Sequence, residues 1–442
     1  VPVGVVRCFL GQQLGTYYSY FGKIEELDKL AHQLAPLVDS PDVIDFARLM
    51  AAPVLIYGGW QTGHRERAEQ ASANLLRLQV SSGALATQNW HFVLAAIPKL
   101  IYGHLGEADG LIQSIQDNLD LRKRSELCFS EFLLIWRNVL SGRYDTAKSH
   151  AITAITLAES MPQKTLLQLT SWGAGAQVLV EKGEYAEAAR LLSKLRELGL
   201  KLGNQHLGLF WAGYLEAYLL DRSGAPLNQT LAALSRSFSL AAQHNWVGLP
   251  YWDPKLITRL CVLALQHGIE PEYAKRLVRL YGYTPPADEL IEQWPWPWRI
   301  YTLGRFSILK DDKPLELGAK GNRKPLELLK TLIAMGGREV SQAKLVEALW
   351  PDSEGDAGQQ AFETTLHRLR ALLGKEAPLQ LKGGLLTLDA RHCWVDAWAF
   401  ERFVTELEHE PANHAPATLS AKLFQLYRGS FLANDPELVA TL

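Results

Sequence analysis

A short signature recurs seven times along the first two thirds of the chain, and it constrains the fold more than any other feature. The signature is Gly, any residue, an often aromatic or aliphatic residue, two more, then Ala or Leu. It reads Gly22-Lys-Ile24-Glu-Glu-Leu27, Gly63-His-Arg65-Glu-Arg-Ala68, Gly106-Glu-Ala108-Asp-Gly-Leu111, Gly142-Arg-Tyr144-Asp-Thr-Ala147 and Gly183-Glu-Tyr185-Ala-Glu-Ala188, with weaker copies at Gly224 and Gly268. Successive glycines lie 41, 43, 36, 41, 41 and 44 residues apart. Periods of this size mark arrays of helix pairs. The glycine ends one helix in a left-handed conformation, and the small residue lets the next helix approach closely. Apolar residues at three- and four-residue spacing flank the turns, as in 166–180 and 188–200. The expected fold is mostly α: a right-handed solenoid of about seven helix pairs over residues 1–290.

An array offers a long concave surface and no built-in chemistry. Trp136, Trp172, Trp211, Trp246 and Trp252 fall at about one per repeat. They either pack between repeats or line a groove for a peptide or small inducer, and Trp136, Trp172 and Trp211 are the candidate ligand contacts. Trp172, Gly183, Tyr185 and Ala188 stand where a tetratricopeptide repeat places its tryptophan, turn glycine, turn aromatic and small residue. The region resembles these repeats, and most of all the sensor array of MalT-type bacterial regulators. Those regulators carry an ATPase domain before the array, so the resemblance implies one upstream. The chain begins at Val1 rather than Met, which reads as a piece of something longer.

Trp294-Pro-Trp-Pro-Trp298 breaks the helical pattern, because alternating proline enforces an extended backbone. Residues 291–298 read as a linker whose tryptophans clamp one domain on the next. Beyond it, 299–309 has strand propensity, followed by a turn at 311–314 and a short strand at 315–317. Helices are expected at 325–335, from an N-cap at Ser341 to Trp350, and at 359–373. Residues 379–388 read as a hairpin about Gly383-Gly384. Leu303-Gly-Arg-Phe306, Arg323-Lys-Pro-Leu-Glu-Leu-Leu329, Val340-Ser341, Leu345-Val-Glu-Ala-Leu-Trp350 and Leu366-His-Arg-Leu-Arg-Ala-Leu372 resemble the winged helix-turn-helix of OmpR-type regulators, most closely the SARP-type activators. That assigns 299–392 to a small α+β DNA-binding domain. Helices at 396–408 and 418–432, the latter ending Tyr427-Arg-Gly-Ser-Phe-Leu432, resemble the start of a bacterial transcriptional activator domain. Residues 393–442 are therefore expected to be a short, truncated helical segment of a third domain.

The third helix of the winged domain has two faces. Phe362, Leu366, Leu369 and Leu373 form an apolar one, while Gln360, Thr364, His367, Arg368 and Ala371 form another, with donors and acceptors suited to base edges and phosphates. The resemblance places Thr365, His367, Arg368 and Arg370 at DNA-touching positions. Lys382 at the hairpin tip is expected to reach phosphate or the minor groove, and the backbone amides of the helix starting at Ser341 another phosphate. The resemblance implies double-stranded DNA and RNA polymerase as partners.

The chain's 45 Lys+Arg and 47 Asp+Glu leave a net charge of −2, which excludes a whole-chain polyanion binder but not a local basic site. Residues 299–394 carry 15 basic against 12 acidic side chains. A domain of net charge +3 binds DNA weakly alone, so paired modules, as in a homodimer on repeated half-sites, are expected. Cys8, Cys128, Cys261 and Cys393 are far apart and read as reduced thiols of a cytoplasmic protein. No apolar run is long enough to span a membrane. No phosphate loop, HExxH, GxSxG or dinucleotide fingerprint occurs, so neither an enzyme nor a cofactor is expected. The expected function is a DNA-binding regulator, an activator by resemblance, controlled by a ligand or partner on the array. The alternative is an interaction scaffold whose winged helix docks protein.

Overall fold

A computed structural model describes the chain except residues 1, 162–165, 202–204, 249–251, 287–290, 317–321, 354–355, 375–377, 410–422, 434 and 436–442. The chain divides into two units, Val1–Tyr283 and Thr284–Leu442.

The first unit is a TPR-like α-solenoid of seven helix pairs: α1 (Val3–Tyr20) with α2 (Ile24–Asp39), α3 (Asp45–Thr62) with α4 (Arg65–Ser82), α5 (Gln88–Ile101) with α6 (Leu105–Asp117), α7 (Arg124–Leu140) with α8 (Tyr144–Glu159), α9 (Leu166–Glu181) with α10 (Tyr185–Lys201), α11 (Gln205–Arg222) with α12 (Leu227–Gln243), and α13 (Pro254–Gln266) with α14 (Pro271–Tyr281). Each even helix packs on the odd helices flanking it, and the odd helices also pack on one another in succession.

The turn glycines are Gly22, Gly63, Gly103, Gly142, Gly183, Gly224 and Gly268, all at positive φ. Their spacings are 41, 40, 39, 41, 41 and 44 residues. The third copy is thus Gly103-His-Leu105-Gly-Glu-Ala108, not the copy starting at Gly106, which lies inside α6. The fourth residue of every even helix is buried: Leu27, Ala68, Ala108, Ala147, Ala188, Thr230 and Ala274. That position meets the preceding helix, which is why small residues dominate it. At Gly59, for instance, an added Cβ would sit 2.7 Å from the Ala68 Cα.

The array closes on itself. The connection from α12 to α13 runs back to the first pairs: the Trp246 indole donates to the Gly22 carbonyl (2.9 Å). A Cβ on Gly22 would lie 2.7 Å from that ring, and one on Gly63 would meet Leu280 and Val247. Tyr273 and Tyr281 donate to the Trp246 and Val247 carbonyls (2.8 and 2.6 Å). The Tyr281 ring also stacks on Tyr102 of the loop after α5.

The second unit begins before the expected linker ends. Strands β1 (Trp298–Tyr301), β2 (Ser307–Lys310), β3 (Lys313–Pro314) and, far later, β7 (Cys393–Val395) form a sheet in the order β3-β2-β1-β7. The expected long strand at 299–309 is two antiparallel strands, with Ile300 facing Ile308, and the third strand falls at 313–314. Helices α15 (Arg323–Ala334), α16 (Gln342–Leu349) and α17 (Asp356–Leu373) follow. A second sheet joins β4 (Val340–Ser341), β6 (Leu385–Leu388) and β5 (Leu379–Lys382) in that order. This is the strand, three-helix, hairpin order of a winged helix-turn-helix. Trp298, Ile308, Leu328, Leu332, Leu345, Phe362, Leu366, Leu369, Leu386 and Leu388 share one core. α18 (Asp396–His409) closes the unit.

The expected boundary at 392 is corrected, because β7 pairs in parallel with β1 and so belongs to the same sheet. Trp298 likewise belongs to β1 rather than a linker. Of the expected helix at 418–432, residues 418–422 lie outside the described residues, and the rest is corrected: only 423–426 is helical, and 427–432 is irregular chain that pairs with the sheet. What is described of its end packs on the sheet: Leu432 N–H donates to the Thr302 carbonyl (2.8 Å), and Gly304 N–H to the Ser430 carbonyl (2.9 Å). Asp435 pairs with Lys330 at 2.7 Å.

Candidate nucleic-acid interface and ligand cavity

α17 is amphipathic in the sense its sequence predicts. Phe362, Leu366, Leu369 and Leu373 are in the core, whereas Gln360, Thr364, His367, Arg368, Arg370 and Ala371 are exposed. Thr365 is corrected: it is buried beside Leu366, only 7% exposed, so it supports the helix and offers nothing to a ligand. No hydrogen bond or ion pair engages Arg368 among the described residues. Arg370 differs, because its guanidinium donates to the Leu379 carbonyl of β5 (3.4 Å) and braces the helix on the hairpin. Acidic side chains share the exposed face, with Glu363 accepting from Gln359 (3.2 Å).

The hairpin turns at Gly383 and Gly384, both at positive φ as a primed two-residue turn requires, and Lys382 is exposed beside it. Ser341 stands at the N-cap of α16, but its hydroxyl makes no capping bond. The first amide of that helix, Gln342 N–H, is already spent on the Gly384 carbonyl (2.9 Å). The start of α16 is therefore tied to the wing tip and has one fewer donor for phosphate than expected. Lys344, in the first turn of α16, was not singled out from the sequence. It is exposed, with no partner among the described residues. Its signal was its place in the first turn after the Ser341 cap, but exposure on that short helix is decided by packing.

In the first unit the three candidate tryptophans are largely buried. Trp136 is 1% exposed and donates its indole N–H to the Trp252 carbonyl (3.2 Å). Trp172 packs at 7% exposure, donating to Glu159 Oε1 (3.1 Å). Trp172 also borders an open surface groove of about 340 Å³ with Glu159, Gln168, Lys194, Leu198 and Lys201, while Trp211 borders a slot of about 70 Å³ walled by Tyr57, Trp60, Leu94, Phe132 and Trp246 among others. Pockets for drug-sized ligands have roughly 300–1,000 Å³. The slot is therefore too small for such a molecule without rearrangement, because the closing connection occupies the interior.

That connection also carries a buried acidic pair. Asp253 caps α13, accepting from the Lys255 amide and the Gln177 carboxamide (both 2.9 Å). Burial pushes its carboxyl up to about 6, and the nearby Glu181 adds to the shift. Glu181 accepts from the Tyr218 hydroxyl (2.5 Å) and lies 3.6 Å from the Lys255 ammonium. The group links α9, α11 and α13 and so fastens the closure.

All four cysteines are buried free thiols, and burial pushes each of them up. Among the described residues no cluster of three His, Cys, Asp or Glu could hold a metal, and no helix is long and apolar enough to cross a membrane. No protein-family model matches the chain, and no curated protein matches it either.

Proposed function

We propose that the chain is a DNA-binding transcriptional regulator of the cytoplasm. In this reading the winged helix reads duplex DNA, and the array governs it in response to a ligand or partner. The observation that supports it most is the exposed row Gln360, Thr364, His367 and Arg368 on α17, together with exposed Lys382 and Lys344 in the same unit. An 18-residue helix whose other face is core presents this row as one rigid edge, as insertion into a major groove requires. Arg368 supplies bidentate donors for a guanine edge or a phosphate, Gln360 a carboxamide for adenine, and Lys344 and Lys382 point charges for the backbone. Activation through RNA polymerase rests on the resemblance to SARP-type activators.

The test is a mobility-shift titration of the whole chain on duplex DNA at several salt concentrations. Arg368→Ala should weaken binding by about 1–3 kcal/mol, and Lys344→Ala should lower the salt slope by about one. Absence of duplex binding, or binding indifferent to both Arg368→Ala and Arg370→Ala, removes the assignment and leaves the scaffold reading. For control by the array, proteolytic protection of the second unit should change when a true effector is added.

A further inference from the structure

The slot inside the closed array is lined by α1, α3, α5, α7, α9 and α11 and by Trp246 of the α12–α13 connection. Its floor is aromatic and aliphatic: Tyr57, Trp60, Leu94, Phe132, Trp211 and Trp246 are each buried. Tyr20, Trp90 and Phe129 are half-buried and form the rim, where the Trp90 and Phe129 ring centroids lie 4.8 Å apart. Among the described residues no charged side chain lines the slot.

A polar atom in this wall is left over. Gln61 is 8% exposed, and its amide nitrogen donates to the Ser19 hydroxyl (2.7 Å), but its Oε1 is buried without a partner. Neighbouring polar groups are engaged elsewhere: the Thr170 hydroxyl donates to the Leu167 carbonyl (3.1 Å), and the Trp246 indole to Gly22. An unpaired buried acceptor is costly, so one kept in a folded chain calls for a donor. Water suits the place poorly, because a buried water needs about two to four polar partners.

The walls specify what does suit it. An ion entering here would be desolvated with no opposite charge to meet. Aromatic walls favour a flat ring, which packs on them edge-to-face or offset. The leftover acceptor selects a molecule with an O–H or N–H. An apolar cavity of roughly 150 Å³ takes benzene, and the slot encloses about 70 Å³. A single small ring system therefore lodges partly in the floor and partly between the rim aromatics.

We infer that the slot binds a small uncharged aromatic molecule of the phenol or indole class, whose O–H or N–H donates to Gln61 Oε1. As the effector of the array this molecule rests on the regulatory reading proposed above. Its binding does not, and the two are measured separately.

Isothermal titration of the whole chain at neutral pH with phenol, indole, toluene and benzoate tests the site. Phenol and indole should bind saturably at a single site and compete with each other. Toluene matches phenol in size but lacks the donor, and should bind at least about 5-fold more weakly. Benzoate, being charged, should not bind. Gln61→Met keeps the length of the side chain, should keep the helical circular dichroism, and should bring phenol and toluene to equal affinity. The comparison of phenol with toluene in the unaltered chain decides the matter by itself should that variant not fold. Absence of saturable binding by phenol and indole, toluene as tight as phenol in the unaltered chain, or a folded Gln61→Met chain that still prefers phenol overturns the site. Adding phenol or indole to the mobility-shift titration reads the regulatory role. Saturable ligand binding with unchanged DNA affinity overturns that role and leaves the site, and a chain that binds ligand but no DNA overturns the regulator reading alone.

Discussion

Two buried side chains give the first unit opposing acid responses. His91 is fully buried with its Nδ1 against Gln79, and desolvation pushes it down to about 4 from an ordinary 6.5. Between those values the unfolded chain holds a proton that the folded chain does not. Stability therefore falls as pH drops through that window, by up to about 3 kcal/mol. Asp253 behaves oppositely. Its carboxyl is raised from 3.8 to about 6, so the folded state holds the extra proton and stability falls as pH rises through that window. In His91→Gln, thermal midpoints measured from pH 6.5 to 4 should drop less than in the wild type. In Asp253→Asn, which keeps the cap on α13, they should drop more. Asp396 is a third buried acid, but its role is structural. It accepts from the amides of Thr302, Leu303 and Ala397 and from the Thr302 hydroxyl. Asp396→Ala strands those donors and should cost the second unit about 2–4 kcal/mol, read by urea unfolding.

At the level of elements, the turn glycines separate two costs that sequence alone merges. Gly183 has φ +75 with open space around its Cβ position, whereas Gly22 has φ +65 and the Trp246 ring 2.7 Å away. Gly183→Ala should cost only the left-handed strain, about 1 kcal/mol. Gly22→Ala adds a steric clash of the overpacking kind and should cost about 1–3 kcal/mol more. Equal losses in denaturant titrations would mean that the Trp246 contact does not hold the closure. In α17 the helical period was legible, and it separated core from exposed face at every position it assigned. Thr365, which only the resemblance placed on the DNA side, lies three residues after Phe362 and four before Leu369, so the same period accounts for its burial.

For the whole molecule, each unit has its own core, and the repeat array relies on a contact between its two ends. Trp246→Ala removes a fully buried ring that bridges the α12–α13 connection to the first turn, and it should destabilise the first unit by about 3–5 kcal/mol. The repeat, the order of elements and the amphipathic third helix of the second unit were determined by the sequence itself, because helical period, turn glycine and hairpin glycines act over a few residues. Tertiary structure alone decided three things. It set the third copy of the repeat at Gly103, whose positive φ ends α5, whereas Gly106 lies inside α6. It drew β7 into the first sheet, across nearly a hundred residues from β1. It also filled the interior with Trp246, Trp252 and Tyr281, so that tryptophans spaced like groove contacts became core. These are long-range pairings, and local spacing carries no record of which distant segment will cover a given apolar face.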